Sequence, residues 1–177
     1  MKNAGKRFED CFKRSVPDYC LLQRLNDPPQ SFIDSADTRF SPKNPCDFFV
    51  FSGIHRILWC LELKTTKSKY MTFEDITQKK PESKMIHKHQ ILGLERLGQC
   101  DHVVAGFLLN FRDEQNAMER TYFQDIDNFL NMINSIGKFS FNEIDLLLNH
   151  AVKVKGVKKR TNYIWDIDKL FEAYAGR

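Results

Sequence analysis

The sequence predicts an α/β fold in which a mixed β-sheet core is flanked by helices. The length of 177 residues is typical of one domain, which we place at 1–177. A content of 42% hydrophobic and 28% charged residues fits a folded globular protein. Strand-length apolar runs alternate with segments of helical period, an order that is typical of a sheet covered on both faces.

The part of the chain on which function depends is a predicted β-hairpin, formed by strands 47–51 and 56–64. A long irregular connection, 26–45, precedes it, and loops of this length in compact domains are often functional. A polar, lysine-rich loop at 67–83 follows it. The other predicted elements are helices at 5–15, 87–97, 127–136, 143–151 and 166–174, and strands at 20–25, 103–109, 121–123 and 163–165.

Basic residues concentrate in three regions of a chain whose net charge is +4 and whose pI is about 8.8. The regions lie at the start, in the middle and near the end of the sequence. If they converge on one face, that face would bind phosphate groups; the alternative is an ordinary solvated surface. The basic residues that we expect to contact phosphate groups are Lys6, Arg7, Lys67, Lys88, Lys158, Lys159 and Arg160.

No apolar stretch approaches the roughly 20 residues that a membrane span requires. The basic start is not followed by the apolar core of a signal peptide. We therefore expect a cytoplasmic protein with no membrane partner.

Glu62 lies within an apolar strand, where a carboxylate is costly unless a charged group meets it. Lys64 stands two residues later, so both side chains emerge on the same face of the strand. Asp47 opens the partner strand of the hairpin and can reach the same end of the sheet.

Two carboxylates that converge from adjacent strands suit a hard cation such as Mg²⁺, or Mn²⁺, with water and phosphate as its other ligands. Such a metal polarises a phosphoryl group and generates a nucleophile, and a lysine beside it stabilises negative charge. We therefore expect Asp47 and Glu62 to be metal ligands and Lys64 to be catalytic. The alternative is an exposed strand on which Glu62 and Lys64 form an ordinary ion pair.

The pattern of Pro45-x-Asp47 followed by Glu62-x-Lys64 resembles the signature of the PD-(D/E)xK nuclease superfamily. The resemblance implies a restriction-endonuclease-like mixed sheet flanked by helices, and hydrolysis of DNA.

Three flanking stretches resemble the RecU-type Holliday junction resolvases within that superfamily. They are 3–9, similar to the family's first helix; 87–91, similar to its His-x-His-Gln segment; and 163–174, similar to its closing strand and helix. The resemblance covers most of the chain. Segment 26–45 takes the position of the family's stalk but is shorter, and Cys46 stands where the family usually has Thr.

The resemblance assigns further roles. Glu9 would be an acidic residue brought to the metal site; the alternative is an exposed glutamate in the first helical turn. Gln90 would assist catalysis from its helix; the alternative is a solvated surface amide. His89 is expected to contact phosphate or to be structural.

The implied function is a metal-dependent endonuclease that resolves four-way DNA junctions as a homodimer with one active site for each of two symmetric strands. Two alternatives stay open. One is a repair or restriction-type nuclease that cuts duplex or flapped DNA, and the other is a DNA-binding protein of the same fold that does not cut.

Overall fold

The computed structural model describes residues 3–25, 44–80 and 82–175. The helices of these ranges are α1 (Ala4–Ser15), α2 (Lys88–Gly98), α3 (Ile126–Ser135), α4 (Glu143–Leu148) and α5 (Ile167–Tyr174). Their strands are β1 (Cys20–Arg24), β2 (Phe48–Ser52), β3 (Ile57–Thr66), β4 (Met71–Thr72), β5 (Val103–Asp113), β6 (Met118–Asp125), β7 (Ser140–Phe141), β8 (Val152–Val154), β9 (Gly156–Lys159) and β10 (Asn162–Trp165).

A six-stranded sheet forms the centre of the fold, in the order β1-β2-β3-β5-β6-β8. Neighbouring strands run antiparallel except β3 and β5, which are parallel and place Glu62 beside Phe107. Parallel neighbours need a crossover connection, and α2 lies within the one that joins β3 to β5. The predicted hairpin is confirmed as β2 and β3, paired with Phe48 opposite Leu61.

Successive side chains of β3 point to opposite faces of the sheet, and both faces are buried. Trp59 and Leu61 belong to a cluster with residues of α1, β10 and α5, in which Trp59 stacks on Phe171 with ring centroids 4.4 Å apart. Cys60 belongs to the opposite cluster, which α2 and α3 cover. The predicted mixed sheet flanked by helices is therefore confirmed. Because strand side chains alternate, Glu62 shares the face of Cys60.

One stretch that was expected to be a loop contains a strand, and the basic stretch near the end, for which no element was predicted, contains two. In the lysine-rich segment 67–83, β4 pairs with β7, and Met71 and Phe73 are buried. The expectation of a plain loop was wrong because these two apolar residues alternate with polar ones and so give one buried face. The basic stretch near the end forms β8 and β9, and β9 pairs with β10 in a hairpin.

The helix expected at 143–151 ends at Leu148. Asn149 departs from helical geometry with φ −108° and ψ 36°, and His150 has a positive φ of 64°. These two backbone conformations stop the helix before the end that the apolar pattern indicates.

Segment 26–45 was expected to be irregular, but most of it lies outside the described residues, which resume at Asn44. The single domain at 1–177 stays a prediction. Within the described ranges, no helix combines the length and the apolar content that crossing a membrane would require.

Gly106 offers a test of how closely β5 and β6 pack. A Cβ atom there would lie 2.4 Å from the Gln124 carbonyl oxygen and 2.9 Å from the Asp125 Cα. We expect Gly106→Ala to lower the free energy of unfolding by about 1–3 kcal/mol, because backbone must move to admit the methyl group. Urea denaturation followed by circular dichroism measures the change.

Gly53→Ala is the control, since its Cβ would meet nothing closer than a Phe51 side-chain atom at 3.9 Å. Equal denaturation midpoints for the two variants would contradict the close approach at Gly106.

Candidate active site

Asp47 is fixed at the open end of the hairpin by the backbone of β3. Its amide donates to the Leu61 carbonyl at 3.1 Å, and its carboxylate Oδ2 accepts from the Leu63 amide at 2.8 Å. Because Phe48 pairs with Leu61, extending the register by one residue sets Asp47 opposite Glu62. The two predicted metal ligands are thus brought to neighbouring positions on paired strands.

Glu62 is only 3% exposed, because it lies on the sheet face that α2 covers. The Lys64 Nζ lies 2.9 Å from the Glu62 Oε1, and the Gln90 Nε2 donates to the same oxygen. The predicted alternative of an exposed strand is therefore wrong for Glu62, but the ion pair with Lys64 is present. Burial makes that pair necessary, since a buried carboxylate without a partner would be strongly destabilising.

The orientation of the Gln90 amide follows from its place at the start of α2. Its Oε1 accepts from the His87 amide at 2.9 Å in a capping box, which leaves Nε2 to face Glu62. Gln90 is partly buried and held at both ends of its amide group. The predicted alternative of a solvated surface amide does not apply.

Glu74 fixes the same helix start and was missed in the sequence. Its carboxylate, 5% exposed, accepts from the Lys88 amide at 2.6 Å and lies 3.0 Å from the His87 Nδ1. A negative charge here also complements the positive end of the α2 dipole. The sequence could have indicated Glu74 by its position directly after Met71 and Phe73, two apolar residues separated by a polar one.

Helix α2 and the approach to β2 are in close contact at Gly93. A Cβ atom on Gly93 would lie 3.0 Å from the Cα of Pro45, so a side chain there would force the helix away. This contact keeps α2, which carries Gln90, next to Asp47, the residue directly before β2.

Glu9 lies in the second turn of α1, which begins at Ala4, so the expected first-turn placement is wrong. Its carboxylate pairs with Arg24, whose Nε lies 2.9 Å from the Glu9 Oε2. Burial raises the pKa of Asp47 above its usual range, and Glu9 raises it further. The Leu63 amide, Lys64 and Arg24 act in the opposite direction on that pKa. The pair formed by Glu9 and Arg24 therefore belongs to the surroundings of Asp47.

The charges of this group fit a bound cation. Its three carboxylates (Glu9, Asp47, Glu62) meet two cations (Lys64, Arg24), so one negative charge remains to be balanced within the group. Across the described ranges no three histidine, cysteine or acidic side chains are arranged as a metal site. Two carboxylates completed by water and phosphate are what Mg²⁺ commonly uses.

The basic residues fall into separate groups. Arg7, Lys67 and Lys158, one from each basic region, line a cavity of about 550 Å³, although Arg7 also pairs with Glu119. Lys88 and His89 lie instead at the start of α2; the Lys88 Nζ donates to the Gln78 carbonyl at 3.0 Å, and His89 stacks on His87. Lys6, Lys159 and Arg160 are exposed.

No protein-family model matches the chain. A relative in Bacillus subtilis, the SPbeta prophage-derived uncharacterized protein YotM, is 29% identical over 180 residues, which cover 95% of this chain and 85% of that protein. Among solved structures, one match is Hjc, a Holliday junction resolvase from the archaeon Archaeoglobus fulgidus, at 13% identity and a TM-score of 0.49. That match covers 84% of this chain and 93% of Hjc.

Proposed function

We propose that the chain is a metal-dependent DNA endonuclease that resolves four-way junctions by phosphodiester hydrolysis. The observation that carries the proposal is the placement of Asp47 opposite Glu62, one residue beyond the paired register of β2 and β3, with the Lys64 Nζ 2.9 Å from the Glu62 Oε1. A carboxylate as buried as Glu62 is costly, and a catalytic metal gives it a purpose. The resemblance of the flanking stretches to the RecU-type resolvases supports the junction as substrate.

Each side chain has a role in this mechanism. Asp47 and Glu62 would hold Mg²⁺ or Mn²⁺ through their carboxylate oxygens. When bound, the ion polarises the phosphoryl group and lowers the pKa of water. Lys64 places positive charge where negative charge develops on the phosphoryl oxygens. Gln90 orients the Glu62 carboxylate through its hydrogen bond, while Glu9 and Arg24 adjust the charge around Asp47.

The substrate and the assembly belong to the same proposal. A four-way junction has two symmetric strands to cut, and a two-fold homodimer presents one site to each. Lys88 and His89 stand next to Gln90 at the start of α2, where they would contact phosphates beside the scissile bond. Recognition then depends on backbone charge and shape more than on base edges. The protein would act on DNA in the cytoplasm.

The first prediction separates catalysis from folding. Asp47→Asn and Glu62→Gln keep shape and remove charge, so each should reduce metal-supported cleavage by roughly 100-fold or more. Junction binding should persist, because the basic residues are unchanged. Cleavage and gel shift are measured on the same preparations, with circular dichroism as the check on folding.

Glu172→Gln, an exposed carboxylate of α5, is the matched control and should cut at the normal rate. Near-normal cleavage by Glu62→Gln would end the nuclease proposal.

Four-way junction, duplex, flapped and single-stranded DNA are compared side by side. Equal cutting of plain duplex would favour a repair or restriction-type nuclease, and binding without any cutting would favour the non-catalytic alternative.

The second prediction concerns the metal. An all-oxygen pair of ligands should support cleavage with Mg²⁺ and Mn²⁺, whereas the larger and geometrically looser Ca²⁺ should permit binding without turnover. Cleavage time courses with each ion and with excess chelator measure this dependence. Undiminished cutting in chelator would contradict the metal mechanism and leave the DNA-binding part of the proposal standing.

A further inference from the structure

Two cavities open at the end of the sheet, and they measure about 580 and 550 Å³. They share Lys67, Arg112, Asp113 and Glu114, but Arg120 lines the larger cavity and Glu119 the smaller one, so the two lie on opposite faces of the β5–β6 hairpin. We call the larger cavity the basic groove. Its walls come from the turn after β3, from the β5–β6 hairpin and from the start of α4.

The basic groove begins directly beyond the candidate active site. Glu62, Lys64 and Thr66 share one face of β3, and Thr66 pairs with Phe111, which lines the larger cavity. Lys67 follows Lys64 by three residues, or roughly 10 Å at about 3.3 Å per residue. A nucleic-acid strand held at Lys64 therefore reaches the groove within a few nucleotides.

The larger cavity offers an aromatic ring beside cationic side chains. Tyr70 is 49% exposed, and Lys67 and Lys69 stand exposed on the same turn. Positively charged grooves with exposed aromatic rings are typical of single-strand binding, in which the rings stack on bases and the cations contact phosphates.

Two of the three acidic residues that line the groove are compensated by arginines. The Arg112 Nη1 lies 2.8 Å from the Glu114 Oε1, and Arg120 donates two hydrogen bonds of 2.7 Å to Glu143. These pairs reduce the repulsion that the carboxylates would otherwise exert on phosphate. The third acidic residue, Asp113, accepts hydrogen bonds from Asn116, so Lys67 and Lys69 leave the groove with one excess positive charge.

The volume of the basic groove is that of a small-molecule pocket. About 580 Å³ lies within the range of about 300–1,000 Å³ that is usual for such pockets. The groove therefore has room for a base or a single nucleotide.

We propose that the basic groove binds unpaired nucleotides of DNA, with Tyr70 stacked on a base and Lys67 and Lys69 on the flanking phosphates. This inference rests on the proposed nuclease function, because only a nuclease would need a DNA-binding groove beside Lys64. The groove would then hold the strand that leaves the branch point, so that branched DNA engages more of the protein than plain duplex does.

The test measures binding without cleavage. Fluorescence anisotropy in Ca²⁺ compares a short labelled oligothymidine with a duplex on the full chain. Tyr70→Ala should weaken oligothymidine binding by roughly 5- to 100-fold, the range that stacking on an aromatic ring supports, while Tyr70→Phe keeps the ring and the affinity. Duplex binding should change little in either variant.

A second variant tests the phosphate contacts. Lys67→Ala combined with Lys69→Ala should reduce the salt slope of oligothymidine binding by about 1.4, since each phosphate contact contributes about 0.7. Lys169→Ala, an exposed lysine of α5, should leave the slope unchanged. Circular dichroism confirms that the variants fold.

Unchanged oligothymidine affinity in Tyr70→Ala, or an equal loss for duplex, would overturn the groove proposal. These outcomes say nothing about cleavage, so they are distinct from a failure of Asp47→Asn or Glu62→Gln to stop cutting. Tyr70→Ala that weakens single-strand binding, in a chain whose Glu62→Gln variant still cuts, would retain the groove and reject the active site.

Discussion

The carboxylate of Glu62, buried in the middle of the sheet, is the constraint on which the surrounding structure depends. Removing such a group from water costs several kcal/mol, and the cost is offset only by partners with good geometry. Lys64 and Gln90 supply them through an ion pair and a hydrogen bond to one oxygen. Lys64 lies on the same strand, two residues after Glu62, so the alternation of side chains along β3 is enough to bring the two together. Gln90 comes from another element, so the position of α2 relative to β3 must be held closely.

Helix α2 is held at both the start and the middle. Glu74 and the capping box fix its first turn, and the contact between Gly93 and Pro45 fixes its distance from the approach to β2. Pro45 stands two residues before Asp47, so one packing contact positions both Asp47 and the helix that supports Glu62. The Pro-x-Asp spacing therefore has a mechanical reason here as well as a chemical one: the proline packs on the helix while the aspartate faces the site.

The sequence predicted the parts that depend on local pattern. The hairpin, α1 and α2 follow from alternation and helical period, and Glu62 and Lys64 follow from charge within an apolar strand. It did not predict Glu74 or Arg24 as neighbours of the site, because their contacts join segments far apart in the chain and no spacing rule encodes them. It also missed β4, since two buried residues within a lysine-rich stretch give a weak signal. The hypothesis was that the three basic regions meet on one face. Only the tertiary structure, in which Arg7, Lys67 and Lys158 line one cavity, could separate it from an ordinary solvated surface.

The claim that Asp47 and Glu62 form a metal site is tested most directly by locating a bound ion. Substoichiometric Mn²⁺ added to isotope-labelled protein broadens the amide signals of residues close to the metal. The account predicts that the signals of Asp47, Glu62 and Leu63 broaden first, and that Glu62→Gln removes the selective broadening. Broadening centred elsewhere, or a pattern that is unchanged in Glu62→Gln, would contradict it.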